Sequence, residues 1–108
     1  MRITFAGVTE MGIAGLNGGS GTTYARMAMT PNGKAMVSRL PAGASIGEHG
    51  HPTSCEVNYV LAGTGIARCD GAEEPLEPGV CHWCPRGSRH AIANTGTSDL
   101  VLFTVVCA

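Results

Sequence analysis

At 108 residues with 44% hydrophobic content, the chain is long enough for one globular domain with a modest core. Charged residues make up only 14% and the formal net charge is −1, which gives no electrostatic reason to expect nucleic acid or an anionic membrane as partner. No apolar run approaches the roughly 20 residues that span a bilayer, and the opening MRITFAGVTEMG lacks the apolar stretch of a signal peptide, so a cytoplasmic location is expected.

Met1 to Thr9 reads as a short strand or arm, and Glu10 to Gly21 as a glycine-rich loop. Residues 1–21 are therefore expected to stand apart from a barrel formed by residues 22–108. Gly18-Gly19-Ser20-Gly21 is not followed by the Lys-Ser/Thr pair and helix of a phosphate loop, so it reads as a flexible turn into the first strand. Strands are predicted over Thr22–Met29 and Lys34–Leu40, with Thr30-Pro31-Asn32-Gly33 as the turn between them. Ser45–His51, Cys55–Leu61 and Thr64–Asp70 follow, and Gly71–Gly79, rich in Glu and Pro, reads as a loop. Val80–Cys84, Ser88–Asn94 and Leu100–Cys107 complete the set. Short strands with frequent turn signals and no sustained helical periodicity argue an all-β sandwich or barrel, whose closure would remove exposed edges.

Three groups that suit a metal ion lie close together: His49, His51 and Glu56. On a strand, His49 and His51 at i, i+2 point the same way. Glu56 lies an odd step from His51, but Pro52-Thr53-Ser54 breaks the strand and lets the chain re-enter with Glu56 facing the two rings. His90 comes later, in GVCHWCPRGSRHAIAN. Three imidazoles and one carboxylate suit a divalent transition metal; Mn, Fe, Co, Ni, Cu and Zn all accept such donors. With four protein ligands, one or two positions stay open for water or a chelating substrate.

These residues carry a family resemblance. Gly43, His49-Gly50-His51, Glu56 and Gly63 match the first signature of the cupins at every named position; Gly79, Pro85, Gly87, His90 and Asn94 match the second. The chain from about Thr22 onward thus resembles a cupin, which implies a double-stranded β-helix, or jelly-roll barrel, with a metal held by His49, His51, Glu56 and His90. The Gly-Gly-x-Gly entry to the first strand is similar to a subgroup of small single-domain cupins, some of them oxalate-binding. Cupins host many chemistries on one fold, so the resemblance implies no single reaction.

Strand parity sorts the remaining polar residues. Asn58 lies two residues after Glu56, so it and Val60 should share the inward face, and Asn58 is a candidate substrate contact. The alternative is that it bonds backbone or caps a turn. Tyr24, Arg26 and Arg39 are candidates for an acid or a carboxylate clamp, set against an outer-face location. Glu48 should point away from the metal, Arg86 and Arg89 read as mouth or surface residues, and Asn94 as a holder of local backbone. The Cys81-His82-Trp83-Cys84 stretch lies on a predicted strand, where residues three apart face opposite sides, so its cysteines should not meet and His82 reads as part of the wall.

The expected function is metal-dependent chemistry on a small oxygen-rich substrate: an organic acid, keto acid or sugar derivative, by isomerase, lyase or dioxygenase chemistry. The alternative is a non-catalytic module that binds or senses a small carboxylate such as oxalate. A carboxylate or polyol ligand is expected, with no nucleic acid and no membrane. A homodimer is also expected, because the apolar MRITFAGV arm behind a glycine-rich loop needs a partner sheet.

Overall fold

The structure, a computed structural model, describes residues 1–108. Its strands are β1 (Met11–Ala14), β2 (Thr22–Thr30), β3 (Gly33–Leu40), β4 (Ser45–Gly50), β5 (Cys55–Ala62), β6 (Gly65–Cys69), β7 (Ala72–Leu76), β8 (Cys81–Cys84), β9 (Arg89–Asn94) and β10 (Leu100–Cys107). They form two antiparallel sheets, one ordered β1-β2-β3-β10-β5-β8 and the other β4-β9-β6-β7. This is a jelly roll of two facing sheets. The sheets are not joined by a backbone ladder, so β1, β8, β4 and β7 remain as edges.

Two stretches read as loops contain strands. β1 pairs with β2, so the larger sheet begins before residue 22. β7 pairs with β6 through a two-residue turn at Asp70-Gly71, both with positive φ. Such a turn matches the twist of the flanking strands, and Asp-Gly is a preferred sequence for it. Pro75 is tolerated in β7 because the strand lies at a sheet edge.

The interior is divided along the strands. Leu40, Val60, Ala67, Leu76, Ile92, Leu100 and Leu102, with Ala44, form one apolar cluster. Each large side chain buried there contributes roughly 1.5–3 kcal/mol. On the same inward faces the polar residues follow in sequence: Glu56 and Asn58 precede Val60, Thr104 follows Leu102, and His90 precedes Ile92, all of them buried. One part of the sandwich is thus a hydrophobic plug, and the other is lined by buried polar and titratable side chains.

The glycine-rich loop is not a free tether. A 3₁₀ turn at Leu16–Gly18 lies against β4. Gly19 and Gly47 meet where the two segments touch: a Cβ on Gly19 would stand 2.0 Å from the Ser45 carbonyl oxygen, and one on Gly47 2.0 Å from that of Asn17. Ser20 donates a hydrogen bond from its hydroxyl to the Gly43 carbonyl (2.7 Å) and another from its backbone N–H to Ser45 Oγ (2.9 Å). These glycines are explained by close backbone approach rather than by mobility. The arm before the loop forms no strand. Its 3₁₀ turn Phe5–Gly7 sets Phe5 edge-on to Phe103, with ring centroids 6.1 Å apart, and the Val8 carbonyl accepts a hydrogen bond from Arg26. In the single chain, then, the arm lies on its own larger sheet.

Candidate metal centre

His49 reaches the interior through a β-bulge. β4 pairs Ile46 with Ile92 and then His49 with His90, spending three steps where β9 spends two. The extra residue resets the alternation and aims His49 inward. The bulge also presents the Gly47 carbonyl oxygen 2.8 Å from His49 Nδ1. A carbonyl only accepts, so the hydrogen sits on Nδ1 and the lone pair on Nε2. His51 follows just past the end of β4, with its backbone tied to the Gly87–Ser88 turn by hydrogen bonds at both N–H and carbonyl. After the break at Pro52–Ser54, β5 brings Glu56 round to the same side.

The ligand atoms of His49, His51, Glu56 and His90 all lie within 4.8 Å of one another. Nε2 of His90 is 3.1 Å from Nε2 of both His49 and His51, and 2.8 Å from Glu56 Oε2. His51 Nε2 is 3.6 Å from Glu56 Oε1. Donors placed about 2.0–2.2 Å from one ion stand about 3–4 Å apart, and these do. The donor chemistry fits as well. One hydrogen on His90 Nε2 can satisfy at most one of the three atoms that face it, and the lone pair on His49 has no hydrogen to receive otherwise. A shared cation satisfies all four groups. Burial pushes the His51 imidazole down, toward the neutral form that ligates. Burial alone would raise the Glu56 carboxyl, but hydrogen bonds with His90 and Asn58 and the adjacent rings outweigh it and hold it at about 2. It is a carboxylate at neutral pH.

Asn58 does face inward and is 2% exposed, but it is spent on the protein. Its amide donates to Glu56 Oε2 at 3.0 Å, and its carbonyl accepts from the Thr104 hydroxyl at 2.6 Å. It orients the carboxylate rather than offering a free group to a substrate. Tyr24, Arg26 and Arg39 point away from the site. β2 and β3 bury Thr23, Ala25, Ser38 and Leu40, and these three lie at the alternate positions. Arg39 stacks 4.1 Å over the Tyr24 ring and pairs with Glu10 at 2.9 Å, and Arg26 holds the arm through Val8. Glu48 is exposed and 3.5 Å from Arg89, and Asn94 ties Leu40, Ser98 and Gly96 backbone together. Cys81 is exposed and Cys84 buried, on opposite faces of β8.

A cavity of about 330 Å³ opens beside the cluster, bounded by Thr23, Lys34, Met36 and Ser38 on the larger sheet and by Ile46 on β4. None of these residues is singled out by sequence, and Lys34 and Thr23 carry polar groups into the cavity. Lys34 lies on one inward row with Val106 and Glu56, two strands away from the carboxylate, or about 10 Å at the usual strand spacing. It takes part in none of the chain's ion pairs. Thr23 is 2% exposed, and its hydroxyl is the one buried side-chain polar atom without a hydrogen-bond partner. Parity with Ser38 and Leu40 was the available signal for Lys34. His82 was also missed. It is fully buried, with Nε2 2.9 Å from His90 Nδ1 and Nδ1 2.9 Å from Glu74 Oε1. Glu74 escaped notice because its strand read as loop.

Comparison with known proteins agrees with this geometry. Residues 36–106 match the Cupin domain family. An oxalate-binding protein of Thermotoga maritima is 30% identical, over 98% of this chain and 93% of that protein. A crystal structure described as a predicted oxalate decarboxylase from Thermotoga maritima superposes with a TM-score of 0.92 at 26% identity, covering 99% of this chain and 98% of the other. A cupin sugar phosphate isomerase from Silicibacter pomeroyi superposes at 0.82 with 19% identity, covering 100% of this chain and 76% of its own, which is a likeness of fold. With both signatures complete, the two facing sheets present and the family match spanning most of the residues, the chain belongs to the cupins.

Proposed function

We propose that the chain binds one divalent transition metal through His49, His51, Glu56 and His90, and holds a small carboxylate on it for turnover. The observation that carries the reading is the convergence of three imidazole nitrogens and one carboxylate beside a cavity. Such an ion polarises bound oxygens as a Lewis acid and stabilises charge that develops on them. The chain's own contribution is orientation. Lys34 is the cavity cation without a carboxylate partner, and an acidic ligand supplies one. Thr23 offers a buried hydroxyl to a ligand oxygen. Met36 and Ile46 keep that side of the cavity apolar and limit water. Lys34 also satisfies the need of an isomerase, lyase or dioxygenase for a proton-transfer group near the ligand. The second reading, a non-catalytic carboxylate-binding module, is supported by the oxalate-binding relative.

The test is calorimetric titration of the manganese-loaded protein with oxalate, malonate and glycerol, on the wild type and Lys34→Met. The dicarboxylates should bind and glycerol should not, and the variant should lose at least about tenfold in affinity, a contribution of the size expected for a charge-assisted hydrogen bond. Equal binding by the variant would sink the role of Lys34. Failure of both acids would sink the carboxylate reading.

We also propose a cytoplasmic homodimer. No helix is long and apolar enough to cross a membrane. The outer face of β5 and β8 leaves Tyr59 43%, Leu61 49% and Trp83 58% exposed, an apolar surface that a second copy would cover. Sedimentation of the intact chain as a monomer at micromolar concentration would refute the dimer.

A further inference from the structure

We propose that Glu74 and His82 form a buried positioning relay that selects which nitrogen His90 offers to a metal. The proposal rests on the metal reading above, and its test separates the two. His82 is fully buried and both ring nitrogens are engaged: Nδ1 lies 2.9 Å from Glu74 Oε1, and Nε2 lies 2.9 Å from His90 Nδ1. The direction of each link follows from its first member. A carboxylate only accepts, so the hydrogen of that contact belongs to His82 Nδ1. In the neutral ring this leaves the lone pair on His82 Nε2. That lone pair must receive a hydrogen, and the atom that faces it is His90 Nδ1. When a cation takes the place of a hydrogen between His90 and Glu56, whose carboxylate otherwise accepts from it, His90 is left with its lone pair on Nε2, the atom that stands within 3.1 Å of His49 and His51 and 2.8 Å from Glu56. The carboxylate thus sets the tautomer of an imidazole two hydrogen bonds away.

His49 achieves the same end locally, through the Gly47 carbonyl. The relay is the longer version, and it reaches the outside: the Glu74 side chain is 46% exposed, whereas those of His82 and His90 are fully buried. It also joins the sheets. β7 is the last strand of the smaller sheet and β8 the last strand of the larger one, so Glu74–His82 links two edges that have no backbone ladder between them. A purely structural role, pinning those edges, is therefore the competing explanation. The two roles differ in what they ask of residue 74. Pinning needs a hydrogen-bond partner of the right length. Tautomer selection needs one that accepts and cannot donate.

Glu74→Gln separates them. Glutamine keeps the length and still accepts, but its NH₂ can also donate to His82 Nδ1. The reversed chain then becomes available, with a hydrogen on His90 Nε2 that blocks the metal. Two measurements decide. Long-range ¹H–¹⁵N spectra of histidine-labelled, zinc-loaded wild type should show His82 and His90 both with the hydrogen on Nδ1. Competition with a chromophoric chelator for zinc should show a loss of about 10–100-fold for Glu74→Gln, the usual effect of removing a partner behind a metal ligand, with the thermal midpoint of the metal-free protein unchanged. An Nε2–H tautomer at His82 in the wild type overturns the proposal, and so does wild-type zinc affinity in Glu74→Gln. If the wild type binds no zinc, the metal reading fails on its own, and the relay then stands or falls on whether His82 Nδ1 carries the hydrogen in the metal-free protein.

Discussion

Asn58 holds two buried partners at once, so Asn58→Ala should be costly in a way that can be apportioned. The side chain is 2% exposed, donates to Glu56 Oε2 at 3.0 Å and accepts from the Thr104 hydroxyl at 2.6 Å. A hydrogen bond to a carboxylate contributes about 1.5–3 kcal/mol, and a buried hydroxyl left without a partner costs about 1–3 kcal/mol. Asn58→Ala should therefore destabilise the metal-free chain by about 3–5 kcal/mol, a large share of the 5–15 kcal/mol typical of a domain. Thr104→Val, close in shape, should cost about 1–2 kcal/mol by leaving the Asn58 carbonyl unpaired. In the double variant the orphan created by each single change is gone. It should be more stable than the sum of the singles by about 1 kcal/mol or more. The assay is urea unfolding followed by far-ultraviolet circular dichroism on all four proteins. Strict additivity, or a cost below 1 kcal/mol for Asn58→Ala, would refute the claim that Asn58 is a buried bridge between Glu56 and Thr104.

Glu56 gives a pH prediction for the metal-free chain. Its folded carboxyl is held at about 2, below the ordinary carboxylate value near 4.5, so its stabilisation is present above pH 4.5 and is lost as pH falls through 2. Unfolding titrations of Glu56→Gln should lack that part of the acid slope; an identical slope would contradict the assignment. Burial pushes the Cys84 thiol up to about 12, so iodoacetamide at pH 8 should label exposed Cys81 and Cys107 and spare Cys84, and mild oxidation should give no Cys81–Cys84 disulfide. Mass spectrometry reads both, and a Cys81–Cys84 bridge would show the strand geometry to be wrong. Gly47→Ala should lower the thermal midpoint by several degrees, because its methyl would overlap the Asn17 carbonyl at 2.0 Å; an unchanged midpoint would mean that the loop does not pack on β4.

The parts of this molecule legible in its sequence are those set by local chemistry. Alternation along strands places His49 beside His51 and Asn58 beside Glu56, and the Pro52–Ser54 break allows Glu56 to join them. The same alternation puts Cys81 and Cys84 on opposite faces. What escaped depends on pairing between distant strands. Asp70-Gly71 is a hairpin signal, but the Glu and Pro content of the next residues masked an edge strand, and Glu74 went with it. His82 faces the site because β8 pairs it with Asn58, a register that no local pattern reveals. Lys34 faces the site because β10 carries its row across to Glu56. Gly19 reads as part of a flexible turn, since its reason is a close approach to Gly47, far away in sequence. Arg26 and Arg39 drew attention by charge, and parity with buried Ala25 and Ser38 would have placed them outside.

The central claim is that His49, His51, Glu56 and His90 hold one metal ion. The most direct test is elemental analysis of purified protein, comparing the wild type with His49→Ala/His51→Ala after both have been offered the same divalent ions. The wild type should carry one transition-metal ion per chain. The double variant should carry none while keeping its β-sheet circular dichroism, because the apolar cluster around Leu40, Val60 and Leu102 does not involve the site. A double variant that retains full metal content would contradict the account.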